Sequence, residues 1–238
     1  MRFSLSLLIP AYNEEATIEN FIFQNWFLLE KYHMDGLLLD YDIIILNDGS
    51  NDNTQNLLKK FSNIEKIRIL TNEKSSGIVN AFNQLYCYVE KDYFMLTPGD
   101  GQWGVEATQL LIDGVLTSPD FIAINGIRTN KREIYPFFRL FLSKVYCLLG
   151  DYFLKTKGSD PGSIKILPRE VLNYPLKTVG LLQEIERLVI AKKLFDGGVL
   201  FIPVSWAPRI SGKSSGAKLN LIVRTFFSTI GTFLFKKL

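Results

Sequence analysis

The sequence predicts an α/β fold, with a mostly parallel sheet flanked by helices and an amphipathic helix at the C-terminal end. Three observations carry this reading. Short apolar runs alternate with amphipathic, helix-like runs through the first half of the chain. Polar, turn-forming clusters follow directly after several of the apolar runs. Near the end, apolar residues recur at helical spacing. Alternation of this kind implies parallel strands joined by helices that cover both faces of the sheet.

In chain order, strands are predicted over residues 3–9, 41–46, 66–70, 93–96, 121–124 and 199–204. Helices are predicted over 14–31, 53–61, 77–89, 105–116 and 181–195, with Asn51 or Asp52 as the cap of the second. Residues 135–149 are apolar with Arg139 and Lys144 inside them, and 155–168 form a Gly/Pro/Lys-rich stretch. In parallel sheets ligands bind at the carboxyl ends of the strands. The loops after Ile9, Leu46, Leu70 and Leu96 are therefore expected to line the site.

With 47% hydrophobic residues in 238, the chain can bury a sizeable core, which excludes a disordered protein. The formal net charge of +3 is too small to indicate nucleic acid as a partner. One histidine, His33, and two cysteines in no paired spacing, Cys87 and Cys147, argue against a zinc centre, which needs three or four such ligands. The two thiols are expected to be reduced and buried, as in a cytoplasmic protein. No uninterrupted apolar run reaches the roughly twenty residues of a membrane span. The N-terminus lacks the pattern of a secretory signal.

Four loops carry chemistry. Pro10-Ala11-Tyr12-Asn13-Glu14-Glu15 follows the first strand, and Asn47-Asp48-Gly49-Ser50 follows the second. Asp48 and Ser50 can hydrogen-bond a ribose or base, while Gly49 permits a sharp turn. Gly77-Ile78-Val79-Asn80-Ala81-Phe82-Asn83 opens the third helix. After the fourth strand comes Thr97-Pro98-Gly99-Asp100-Gly101-Gln102-Trp103. Taken singly, each of these is also an ordinary turn or helix start.

Together and in this order they resemble the family-2 glycosyltransferases of GT-A fold. The pattern is most similar to the polyprenyl-phosphate and dolichyl-phosphate sugar synthases. The resemblance implies that Pro10, Tyr12, Glu14, Asp48 and Ser50 hold the nucleoside of a UDP- or GDP-sugar. It implies that Asp100 and Gln102 hold Mg²⁺ or Mn²⁺, with Pro98 standing where the family usually has a first aspartate. Such a cation prefers oxygen ligands and offsets the charge that grows on the diphosphate leaving group.

The resemblance continues to residue 216. Arg128, Arg139 and Ser143 are similar to the residues that hold the phosphate of a lipid acceptor, a task suited to the guanidinium fork. Asp160 and Glu186 are the candidate bases for a hydroxyl acceptor. Glu184 and Glu186 lie on an amphipathic helix, where Glu184 also suits a solvent-facing position, Glu186 less so. In the loop over 203–214, Arg209, Lys213 and Ser214 are expected to cover the donor diphosphate.

The implied organisation is a catalytic domain over 1–216 and an amphipathic helix over 217–238. That helix suits peripheral attachment to a membrane at its cytoplasmic face, core packing, or a homo-oligomer contact. The implied activity is inverting transfer to a polyprenyl-phosphate-type lipid. The alternatives are transfer to a sugar hydroxyl in cell-surface polysaccharide, and a non-catalytic nucleotide- or partner-binding domain. A dehydrogenase is set aside, because no Gly-x-Gly-x-x-Gly turn follows the first strand.

Overall fold

The longest apolar runs become strands, because a strand buried on both faces needs apolar residues at consecutive positions. In the structure, a computed structural model, residues 2–209 are described apart from 119, 121, 196 and 197. Lys213, Ser214 and the helix expected over 217–238 lie outside the described residues.

Seven strands form one sheet: β1 (Phe3–Ala11), β2 (Leu38–Asp48), β3 (Ile67–Asn72), β4 (Tyr93–Leu96), β5 (Ala123–Arg128), β6 (Lys165–Pro168) and β7 (Val199–Val204). Their spatial order is β3-β2-β1-β4-β6-β5-β7. β1 pairs in parallel with β2 and β4, β2 with β3, and β5 with β7, while β6 runs antiparallel to both β4 and β5. The fold is thus the expected mostly parallel sheet. The reversed strand is new: it arises in the stretch over 155–168, whose turn-forming composition hides four buried strand residues, Lys165–Pro168.

Successive strand residues point to opposite faces. Leu5, Leu7 and Ile9 of β1 and Ile43 and Ile45 of β2 face one core, with α1 (Ile18–Met34) and α4 (Val105–Thr117) packed on it. Leu8, Ile44 and Leu46 face the other, under α3 (Ile78–Tyr86) and α7 (Leu182–Leu194). On the first core also pack α2 (Thr54–Lys59), through Leu58, and α5 (Lys131–Ile134), through Ile134, and on the second packs α6 (Phe137–Leu154), through Leu154. The first helix begins at Ile18 rather than Glu14. Asn13 takes a positive φ of 57° and the Glu14 N–H is diverted to Thr54, so residues 15–17 form a turn that leads into the helix.

Glu184 does not face solvent. It is buried with Lys165 Nζ at 2.9 Å and the Tyr86 hydroxyl at 3.0 Å, tying α7 to β6 and α3. Both cysteines are free, but Cys87 is exposed rather than buried.

The chain runs from β1 to β2 on one side, then returns to β4 on β1's other side. This switch opens a crevice at the carboxyl ends of β1, β2 and β4. Ile45 lies at the centre of the packing that positions it, fully buried. Ile45→Ala is expected to cost about 2–5 kcal/mol, read as a lower urea midpoint at unchanged slope.

Candidate functional site

A cleft of about 550 Å³ lies at that switch point. It is lined by Pro10, Tyr12 and Glu14 after β1, Asp48 after β2, Ser75 to Ile78 before α3, and Pro98, Asp100, Gln102 and Trp103 after β4. Its remaining wall comes from the other half of the chain: Arg128, Tyr135, Arg139, Gly162, Trp206 and Arg209.

The loops after β1 and β2 are laced together. The Asn13 N–H donates to Ser50 Oγ at 3.0 Å, the Asn51 N–H to Asn13 Oδ1 at 2.8 Å, and the Glu14 N–H to Thr54 Oγ1 at 2.9 Å. Ser50 therefore braces the neighbouring loop and is not part of the cleft wall. Gly49 has φ +71°, and a Cβ there would lie 2.5 Å from the Lys74 carbonyl carbon, so only glycine fits.

Asp48 organises the third loop. Its carboxylate accepts hydrogen bonds from Asn72 Nδ2, the hydroxyls of Ser75 and Ser76, and the N–H groups of Ser76 and Gly77. Burial alone would raise its pKa, but these donors outweigh burial and hold the carboxyl below its usual range. Asp48 lines the cleft as a satisfied anion that shapes the loop over 75–77.

Around Arg209 three oxygen-bearing side chains converge. Its Nη2 is 2.7 Å from Asp100 Oδ2, its Nε donates to Gln102 Oε1 at 3.2 Å, and its Nη1 is 3.9 Å from Glu14 Oε1. Gln102 is oriented by its own Nε2, which donates to the Ala207 carbonyl at 3.1 Å. Burial raises the pKa of Asp100 against the pull of Arg209. Glu14 is pushed up to about 7 by burial and then by the Asp100 charge, with Arg209 opposing. Among the described residues no three His, Cys, Asp or Glu side chains gather as a metal site. The donor set that fits a hard divalent cation is instead carboxylate plus amide, and the guanidinium stands where positive charge is wanted.

The other wall is cationic. Arg128 donates from Nε and Nη2 to the two oxygens of Asp160, at 2.8 and 2.7 Å, and from Nη1 to the Tyr135 hydroxyl at 2.8 Å. Lys131 Nζ adds a second contact to Asp160 at 2.8 Å. Arg139 stacks its guanidinium 4.3 Å from the Tyr135 ring centre. The arrangement follows from β6. Its antiparallel course brings the preceding segment to the carboxyl end of β5, where the Gly126 N–H meets the Ile164 carbonyl.

Besides Ser50, three more expected site residues fall elsewhere. Asp160 is 1% exposed and does not line the cleft; although burial works to raise its pKa, Arg128 and Lys131 prevail and hold it at about 2, so it is no proton acceptor. Glu186 is buried on α7, with its carboxylate accepting the N–H groups of Lys177 and Thr178 and the Thr178 hydroxyl. It borders a separate apolar pocket, because its helix packs on the sheet behind the cleft. Ser143, one turn beyond Arg139, is also outside the cleft wall. Sequence reasoning missed Tyr135, Trp206, Lys131 and the serines of the loop over 75–77. An aromatic residue close to Arg128 in the chain was the only available hint of Tyr135.

Comparison with known proteins places the site in context. The model of "Glycosyl transferase family 2" matches residues 6–173. A dolichol-phosphate mannosyltransferase of Pyrococcus furiosus is 24% identical over 218 residues, 88% of this chain and 58% of that protein. A poly-beta-1,6-N-acetyl-D-glucosamine synthase of Staphylococcus aureus is 30% identical over 122 residues, 51% of this chain and 28% of that one. The chain thus spans between about a quarter and three-fifths of these relatives. Among solved structures, glucosyl-3-phosphoglycerate synthase of Mycobacterium tuberculosis, with Mn²⁺, UDP-glucose and phosphoglyceric acid, superposes with a TM-score of 0.71 at 18% identity. That likeness covers 96% of this chain and 79% of the other, and it establishes the shared GT-A fold.

Two outcomes follow from the electrostatics. Asp160→Asn leaves two cations without their buried partner and is expected to cost about 3–5 kcal/mol in urea unfolding. Glu14 keeps its proton in the folded state to about pH 7, well above the 4.5 of an ordinary glutamate. Stability is therefore fully present below about pH 4.5 and falls as pH rises toward 7. Melting curves of Glu14→Gln across that window are expected to lack the decline.

Proposed function

The chain belongs to glycosyl transferase family 2, and on that premise we propose that this glycosyltransferase moves a sugar, with inversion, from a nucleotide-diphosphate sugar to a polyprenyl-phosphate-type lipid. The observation that carries the reading is a single cleft lined both by the carboxylates of Glu14 and Asp100 and by the guanidinium groups of Arg128 and Arg139. One set suits a metal-bound diphosphate, the other an anionic acceptor.

The loops after β1 and β2 hold the nucleoside through Pro10, Tyr12 and the loop that Asp48 shapes. Arg209 covers the diphosphate, and Lys213 and Ser214 are proposed to join it. Asp100 and Gln102 hold Mg²⁺ or Mn²⁺, as the Mn²⁺ and Mg²⁺ complexes of the mycobacterial synthase support. When bound, the cation offsets the negative charge growing on the departing diphosphate. The acceptor phosphate oxygen attacks the anomeric carbon. The bond to the diphosphate oxygen breaks on the opposite face, and its electron pair leaves with the nucleoside diphosphate.

A phosphate acceptor is anionic at neutral pH and needs no general base. This favours it over a sugar hydroxyl, because neither Asp160 nor Glu186 reaches the cleft. The outer face of α6 adds support for a lipid. Phe137, Phe141, Leu148 and Tyr152 are exposed along one stripe, Phe137 at 87%, with exposed Lys144 and Lys155 among them. An apolar stripe with interspersed lysines suits the interface of an anionic membrane. No helix among the described residues is long and apolar enough to cross one.

Arg139→Ala is expected to lower transfer to a polyprenyl phosphate about 10- to 100-fold, the loss of a charged hydrogen bond, while sparing nucleotide binding. Equal loss of both would overturn the acceptor role. Phe137→Ser with Phe141→Ser is expected to reduce sedimentation with phosphatidylglycerol vesicles and leave the melting temperature unchanged. Undiminished sedimentation would remove α6 from the membrane contact.

A further inference from the structure

We propose that Glu14 supplies the second carboxylate of the divalent-cation site, replacing the aspartate that the motif lacks at Pro98. The inference rests on the metal-dependent reading above, in which only Asp100 and Gln102 were given the cation, and assigns Glu14 as a further ligand.

Pro98 lines the cleft but offers no side-chain oxygen. Asp100 would then be the sole anionic ligand, with the neutral Gln102 beside it. A magnesium-type cation held by protein usually takes one or two carboxylates, with phosphate and water completing its shell. Three carboxylates line the cleft: Glu14, Asp48 and Asp100. Asp48 is already filled by donors from residues 72–77. That leaves Glu14.

Its placement fits. Glu14 is 7% exposed, and Arg209 reaches Glu14 and Asp100 from the two terminal nitrogens of one guanidinium. The same group reaches Gln102 through Nε. One guanidinium thus faces all three side chains, and a metal ion held among them in its place would draw the same oxygens inward to its shorter ligand distances. A buried carboxylate needs such a counter-charge. The backbone is held for the purpose. The Glu14 N–H donates to Thr54, and its carbonyl accepts the N–H groups of Thr17 and Ile18 at 3.0 and 2.9 Å. Arg209 is then freed for the diphosphate once the metal ion arrives.

The test measures the Mn²⁺ concentration that half-saturates the thermal stabilisation given by UDP or GDP, and compares the metal-free stabilisation in EDTA. Glu14→Gln is expected to raise the half-saturating Mn²⁺ about tenfold or more, as is Asp100→Asn, while stabilisation by the nucleotide in EDTA persists. Adding Pro98→Asp to Glu14→Gln is expected to restore Mn²⁺ affinity. Glu14→Asp, which keeps the charge one methylene short, serves if the glutamine variant does not fold, and is expected to fall between the two. Wild-type Mn²⁺ dependence in Glu14→Gln, alongside a weak Asp100→Asn, would overturn this assignment alone and return Glu14 to the nucleoside. Absence of any Mn²⁺ effect in the wild type would overturn both this assignment and the metal-dependent reading.

Discussion

From Leu5 to Ile9, Ile43 to Leu46 and Tyr93 to Leu96, three adjacent interior strands are buried on both faces and carry no charged side chain. Desolvating an unpaired charge there would cost several kcal/mol or more. Polar chemistry is therefore displaced to where the strands end and the backbone turns. β1, β2 and β4 end together at the point where the chain reverses its course across the sheet. Asp48, Glu14 and Asp100 are neighbours for that reason, although long stretches of sequence separate them.

Once displaced there, each charge is held by a specific partner. Asp48 is satisfied by the loop before α3, Asp100 and Glu14 share Arg209, and Asp160 is claimed by Arg128 and Lys131. The consequences differ. Asp160 is so firmly ionised that it serves as a mount, fixing the Arg128 fork and, through Tyr135, the orientation of the cationic wall. Glu14 is only weakly compensated at 3.9 Å and keeps a raised pKa, so it remains responsive to a closer cation. The cleft thus combines a cationic wall fixed by Asp160 with an oxygen-rich one around Arg209.

Much of this was legible in the residues. The strand-end motifs, Pro10 to Glu14, Asn47 to Ser50 and Asp100 to Gln102, lie in the cleft region because loop position follows from strand periodicity. The apolar character of α6 was visible too, though not which of its residues face outward. Other features were hidden. Lys165–Pro168 is too short, and too embedded in turn-forming residues, to announce a strand by periodicity. Glu184 and Glu186 differ by two positions on one helix, yet both are buried, which amphipathic spacing argues against.

The sequence by itself determined the family, the α/β alternation and the identity of the loops that line the cleft, since these depend on local patterns repeated in order. Tertiary structure decided which carboxylate is free to act. Asp160 and Glu14 look equally capable on paper. The antiparallel entry of β6 delivers Asp160 to Arg128, while the loop after β1 leaves Glu14 facing the cleft beside Asp100. Whether a carboxylate is locked to an arginine or left with a raised pKa depends on the charges within a few ångströms, and only the fold brings those together.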